Sequence, residues 1–241
     1  MCRPASFIVT KSNIFWSKTT EGHSEIIEEF GLKEKDVRGN YTLVGVEIVP
    51  PNKDYKLPLS KWQFCVDFAG FKRDLPSWWN EKKVEKRVRQ ALKEWRKCKI
   101  VMPNETRNIE NGDSIIAIYG TIKYVCGGTI EYVCGGTIEY VCGGTIGSVD
   151  GGTIEYVDGG TIESVDGGTI ESVDGGTIES VYGGTIKYVC GQLPNEIKGN
   201  ATIIAYSSLS PEILKSTQAV LIDRSKKTVV CHVGKESRTK L

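Results

Sequence analysis

Apolar residues recur along this chain in two different rhythms. Between Gly120 and Gly191 the order G-T-I-x-x-V-x-G repeats nine times over 72 residues without an insertion. Comparing the copies separates their positions. The first Gly, Thr, Ile, Val and last Gly are fixed, whereas the fourth position takes Glu, Lys or Gly, the fifth Tyr or Ser, and the seventh Cys, Asp or Tyr. Positions that exchange a charge for glycine face solvent; the fixed Ile and Val face inward. They stand three residues apart, the wrong parity for one face of a straight strand, so the chain bends between them. Each octad is therefore read as a bent β segment closed by a Gly-Gly corner. One octad cannot enclose a core, but stacked octads can, as coils of a β-solenoid. Two octads per coil is the preferred count, with three per coil the alternative.

Outside the octads the rhythm changes. "SFIVT" and "IFWSK" around "KSN" predict two strands and a tight turn. "GHSEIIEEFGL" predicts a short helix, with Gly31 as its stop. "YTLVGVEIV" alternates like a half-buried strand, and "KWQFCVDFAGF" is a further strand. Val84, Val88, Leu92 and Trp95 then form an apolar stripe on a helix over residues 79–98, with Ser77 as the expected N-cap. After the octads, "QLPNEIKGN" reads as a decayed copy, with Ile197 and Gly199 in the Val and Gly places. "ATIIAYS" reads as a strand, "AVLID" and "TVVCHV" as a hairpin, and "GKESRTKL" as a mobile polar tail. The expected layout is an α+β head domain over residues 1–103, a linker or solenoid N-cap over 104–119, an all-β, β-helix-like solenoid of octapeptide repeats over 120–191, and a β C-terminal cap over 192–241.

Charge changes this picture by dividing it. The octads hold ten acids against two bases, leaving 29 bases against 20 acids elsewhere. Glu131, Glu139, Glu155, Glu163, Glu171 and Glu179 share the fourth octad position and make a candidate acidic interaction face. On the long helix, Lys86, Arg89, Lys93 and Arg96 make a candidate basic face, with Trp78, Trp79 and Trp95 nearby for base stacking. A core stripe with a solvated basic back accounts for the same residues.

Candidate chemistry is sparse. The two histidines, His23 and His232, lie far apart in sequence. No P-loop, dinucleotide fingerprint, zinc-binding helix or nucleophile elbow is present. No catalytic, cofactor-binding or metal-ligating residue is assigned, and no cofactor is expected. Four of the eight cysteines occupy the seventh octad position, where Asp and Tyr also stand, so reduced thiols are expected. Neither a signal peptide nor a membrane span is expected.

Four features stand together in this chain: "KWQFCVDF", "LPSWWNEKKVEKRVRQALKEW", the tandem octads and the closing "VLIDRSKKTVVCHVGK". In these it resembles the octapeptide-repeat β-solenoid proteins of tailed phages and gut bacteria. Many relatives carry Asn-Ser-Thr-Val octads where this chain has Gly-Gly-Thr-Ile. The resemblance implies a solenoid behind an N-terminal domain, a phage or phage-rich origin, and no catalytic residues. The resulting expectation is a non-enzymatic scaffold or protein-interaction rod in the cytoplasm of a bacterial host or on a virion. Its protein partner and oligomeric state are not named by the sequence. An acidic mimic of nucleic acid, occupying a host DNA-binding or defence protein, ranks second. A nucleic-acid-binding head ranks third.

Overall fold

The computed structural model describes residues 5–67, 75–190, 194, 196–197, 199–206, 219–224, 230–233 and 237–240. The chain divides into two compact units, Met1–Lys99 and Ile100–Leu241. No described helix is long and apolar enough to cross a membrane.

The first unit is built on a four-stranded antiparallel sheet. Strands β1 (Ser6–Thr10), β2 (Ile14–Phe15), β3 (Leu43–Val49) and β4 (Gln63–Val66) lie in the order β2-β1-β3-β4. Helix α1 (His23–Glu29) packs on β1. It ends at Phe30, and Gly31 follows with φ 58°. Helix α2 (Glu81–Lys99) lays Val84, Val88, Leu92 and Trp95 into the core, all buried. Its first turn is capped by Asn80 rather than Ser77: the Asn80 Oδ1 accepts the backbone N–H of Lys83 at 3.1 Å. The part of "KWQFCVDFAGF" beyond Asp67 lies outside the described residues.

The second unit is a β-solenoid of about 7 turns. Its coils begin well ahead of the first octad. Strand β5 (Ile100–Val101) pairs in parallel with β7 (Ser114–Ile118), and β6 (Thr106–Ile109) pairs with the start of β8 (Thr121–Val165). Within residues 104–119, read as a linker or N-cap of the solenoid, β6 and β7 are thus strands of the stack. Only some of the fixed octad residues recur there: Thr106 pairs with Thr121 and Ile115 with Ile130, but Ser114 meets Thr129 and Arg107 meets Ile122, and the offset varies from fifteen in Ser114↔Thr129 to seventeen in Ile100↔Ala117. Within the octads the offset is sixteen. Thr153 pairs with Thr169 and Ile154 with Ile170 between β8 and β9 (Thr169–Val173), and Thr161 pairs with Thr177 between β8 and β10 (Thr177–Val181).

The bend anticipated from the Ile–Val spacing is visible in the ladder. Its pairs pass from Ile154↔Ile170 to Tyr156↔Ser172, skipping Glu155. Both fixed apolar columns are buried as a result, Ile154, Ile170, Val157 and Val173 among them.

The later strands continue the stack. Strand β11 (Thr185–Val189) lies on β9, and β12 (Glu196–Ile197) on β10 with Ile197 against Val181. Strand β13 (Thr202–Ala205) covers β11 and is covered by β14 (Val220–Asp223), both in parallel. The direction then reverses. Strand β15 (Val230–Val233) runs antiparallel to β14, and β16 (Ser237–Lys240) antiparallel to β15. Ser237–Lys240, within the segment expected as a mobile polar tail, is therefore a strand. Strand pairing at a sheet edge draws on backbone groups, so polar side chains do not prevent it. The turn of the β14–β15 hairpin lies outside the described residues.

Candidate interaction faces

The sixteen-residue offset sorts the six glutamates into two columns. Glu139, Glu155 and Glu171 stand on one half of each coil, between Lys123 and Lys187 at the same position. Lys187 Nζ lies 2.6 Å from Glu171 Oε1. Glu163 and Glu179 stack on the other half, where Gly147 separates them from Glu131. The six residues do not form one continuous face.

Their neighbours differ between halves. Beside the first column, the Tyr140 ring sits 6.3 Å from that of Tyr124 and 6.0 Å from that of Tyr156. Tyr140 donates its hydroxyl to Asp158 Oδ2 at 3.0 Å, and that bond to a carboxylate holds the phenol above its ordinary range. Beside Gly147, Glu163 and Glu179 of the second column, serines stand in the tyrosine place. Asp166 Oδ2 accepts from Ser164 at 2.6 Å and from Ser148 at 2.9 Å, binding two successive coils together. The single Ser148 hydroxyl proton is shared between Asp166 and Asp150, whose Oδ1 lies beside the same oxygen. Aspartates of both halves thus spend accepting capacity on the rod itself.

Among the described residues no group of three His, Cys, Asp or Glu side chains is placed to hold a metal ion. His23 of the first unit is buried, with Nδ1 3.0 Å from Asp67 Oδ2 and Nε2 3.2 Å from the Val46 carbonyl. This geometry ties α1 to the sheet and leaves no ring nitrogen facing an open site.

The four residues of the basic face divide by role. Arg89 bonds Glu85 and donates to the carbonyls of Leu59, at 2.9 Å, and Trp62, at 3.0 Å. Arg96 donates to the Leu57 carbonyl at 3.5 Å. Both guanidinium groups clamp the segment that carries Trp62 onto α2. Lys86 and Lys93 are exposed. A larger concavity of about 990 Å³ lies elsewhere on this unit, with Lys11, Lys33, Lys35, Asp36, Tyr41 and Trp78 in its lining. Sequence spacing could not reveal it, because its lysines come from two separate loops, the β1–β2 turn and the α1–β3 connection. Comparison with protein-family models, curated proteins and solved structures returned no match.

Proposed function

We propose that the chain is a non-enzymatic interaction rod of the phage octapeptide-repeat type, acting as a scaffold in a bacterial host cell or on a virion. The observation that carries this reading is the separation of a constant interior from a varied exterior. Identical Ile and Val columns support coils whose outward positions change freely among Glu, Lys, Gly, Tyr, Ser, Cys and Asp. Such a design lets length and surface vary without touching the core. The reading takes two octads as one coil, supported by the sixteen-residue offset of Thr153↔Thr169.

An acidic mimic of nucleic acid is the second reading, favoured by carboxylates that recur from coil to coil. Three features weigh against it as the first. Gly147 interrupts one column, Lys123 and Lys187 end the other, and serines engage the corner aspartates. A mimic needs an unbroken run of uncompensated charge. The nucleic-acid-binding head ranks third, because two of its four cations are engaged by main-chain carbonyls.

One experiment separates the first two readings. The full chain, and a variant with all six glutamates changed to Gln, are immobilised and offered bacterial host lysate at low and high salt. An interaction rod keeps its captured proteins in the Gln variant. A mimic captures DNA-binding proteins and loses them both in the variant and in salt. Absence of specific capture by the wild-type chain would sink both readings.

A further inference from the structure

The seventh position of each octad stands at a coil corner, and corners sixteen residues apart stack. One corner column runs Cys126, Cys142, Asp158, Asp174 and Cys190; the other runs Cys134, Asp150, Asp166 and Tyr182. Among these positions a single step joins two thiols. There the sulfurs of Cys126 and Cys142 lie 2.6 Å apart, both residues exposed and unbridged. That is closer than non-bonded sulfurs ordinarily approach.

The backbone explains the approach. In-register residues of adjacent strands lie ~4.8 Å apart. That falls inside the Cα separation of about 4.4–6.8 Å that a disulfide spans. The corners are also held tightly in register. A Cβ placed on Gly144 would lie 2.5 Å from the Gly127 carbonyl oxygen, and Tyr124 and Tyr140 stack two residues before the two cysteines. Cys134 belongs to the other column, and the neighbour of Cys190 one coil earlier is Asp174. Neither is placed to compete for the pair.

We propose that Cys126 and Cys142 form a redox-modification site, a dithiol that a low-molecular-weight disulfide such as glutathione disulfide converts into a covalent clamp between two successive coils. The Cys126 thiolate attacks one sulfur of the oxidant, breaking its S–S bond and releasing one glutathione thiolate. Cys142 then loses its proton to solvent and attacks the Cys126 sulfur of the mixed disulfide, releasing the second glutathione. Two protein thiols are oxidised to one disulfide, and one glutathione disulfide is reduced to two glutathiones. Cys142 is held above the ordinary thiol range, first by its hydrogen bond to Cys126 and then by burial, and its thiol also lies 3.4 Å from the Val125 carbonyl. The balance is the same if the two sulfurs exchange roles.

The test treats the folded full chain with glutathione disulfide and reads thiol count, intact mass and a peptide map. Two thiols should disappear and the mass should fall by two hydrogens. Glu131 and Glu139 lie between the cysteines, so cleavage after glutamate should give peptides joined until reductant is added. Cys142→Ser should stop at a glutathione adduct on Cys126, while Cys134→Ser and Cys190→Ser should behave as wild type. In denaturant the shorter Cys126–Cys134 loop closes more readily, so selectivity should vanish. The site is refuted if the folded chain ends with separate adducts on Cys126 and Cys142. Bridging to Cys134 in the folded chain, or unreacted thiols under excess oxidant, refutes it equally.

Discussion

A Cβ placed on Gly152 would lie 2.5 Å from the carbonyl oxygen of Gly136, the residue sixteen positions earlier on the same corner. Gly152 also has φ 77°, in the left-handed region. The corner therefore requires glycine twice, once for its backbone angle and once for the closeness of the coil beneath. Gly135 is the contrasting case: its φ is not positive, and a Cβ there would meet nothing within 4 Å. Gly152→Ala should destabilise the rod by at least about 1–3 kcal/mol from backbone strain, with the clash added to that. Gly135→Ala should be neutral or gain a few tenths of a kcal/mol. Thermal and denaturant melts of the two variants check this, and equal losses would refute the corner geometry.

The two glycines of each corner look alike in sequence, and only the fold distinguishes them: the second takes a positive φ and the first does not. The same limit runs through the molecule. The buried Ile and Val columns and the bend between them were legible, because nine copies vary everywhere except where packing forbids it. The first coils were not legible, because Ser114 stands where octads carry Thr and the offset there is fifteen. The clamp made by Arg89 was equally hidden. Its partners Leu59 and Trp62 lie on a segment some thirty residues earlier, and helical periodicity reports only that Arg89 lies off the apolar stripe.

That clamp sets the second prediction. Arg89→Glu removes two charge-assisted bonds to carbonyls and puts a second carboxylate beside Glu85. A loss of about 2–4 kcal/mol in unfolding free energy is expected. Lys86→Glu and Lys93→Glu, at exposed positions, should each stay within about 0.5 kcal/mol of wild type. If charge reversal at Arg89 is as mild as at Lys86, its contacts are not structural, and the basic face regains a free member.

The third prediction is a pH dependence in the first unit. Lys99 is fully buried with Nζ 2.9 Å from Glu21 Oε1, and Trp95 Nε1 donates to Glu21 Oε2 at 3.2 Å. Burial pushes the Glu21 carboxyl above its ordinary range, against the pull of Lys99. A raised carboxyl favours the fold in its protonated form. Its contribution is fully present below the unfolded carboxylate range and is withdrawn as pH rises through the folded value. Glu21→Gln retains the shape and an acceptor for Trp95 but cannot titrate. The stability of wild type relative to Glu21→Gln should therefore fall as pH rises from about 4 to about 7. Urea melts across that range check the sign; a relative stability that rises with pH would show that attraction to Lys99 exceeds the desolvation of Glu21.

The last prediction tests the coil count at positions that carry no native thiol. The backbone N–H of Asp174 donates to the Val157 carbonyl at 2.9 Å, and that of Asp166 to the Val149 carbonyl at 3.0 Å. Each bond brings a corner aspartate over the corner sixteen residues before it: Asp174 over Asp158, and Asp166 over Asp150. Cysteines introduced at 158 and 174 should therefore bridge under mild oxidation, as should cysteines at 150 and 166. A pair at 158 and 166 joins opposite corners of neighbouring half-coils and should stay reduced. A pair at 150 and 174 is the one that three octads per coil would stack. These variants belong in a background with Cys126, Cys134, Cys142 and Cys190 all changed to Ser, because Cys142 and Cys190 flank positions 158 and 174 in one column and Cys134 precedes 150 in the other, with the bridge located by peptide mapping. Bridging at 158–174 and 150–166 alone fixes the coil at two octads. Bridging at 150–174 in preference to these would overturn that count, and with it the assignment of Cys126 and Cys142 to one corner column.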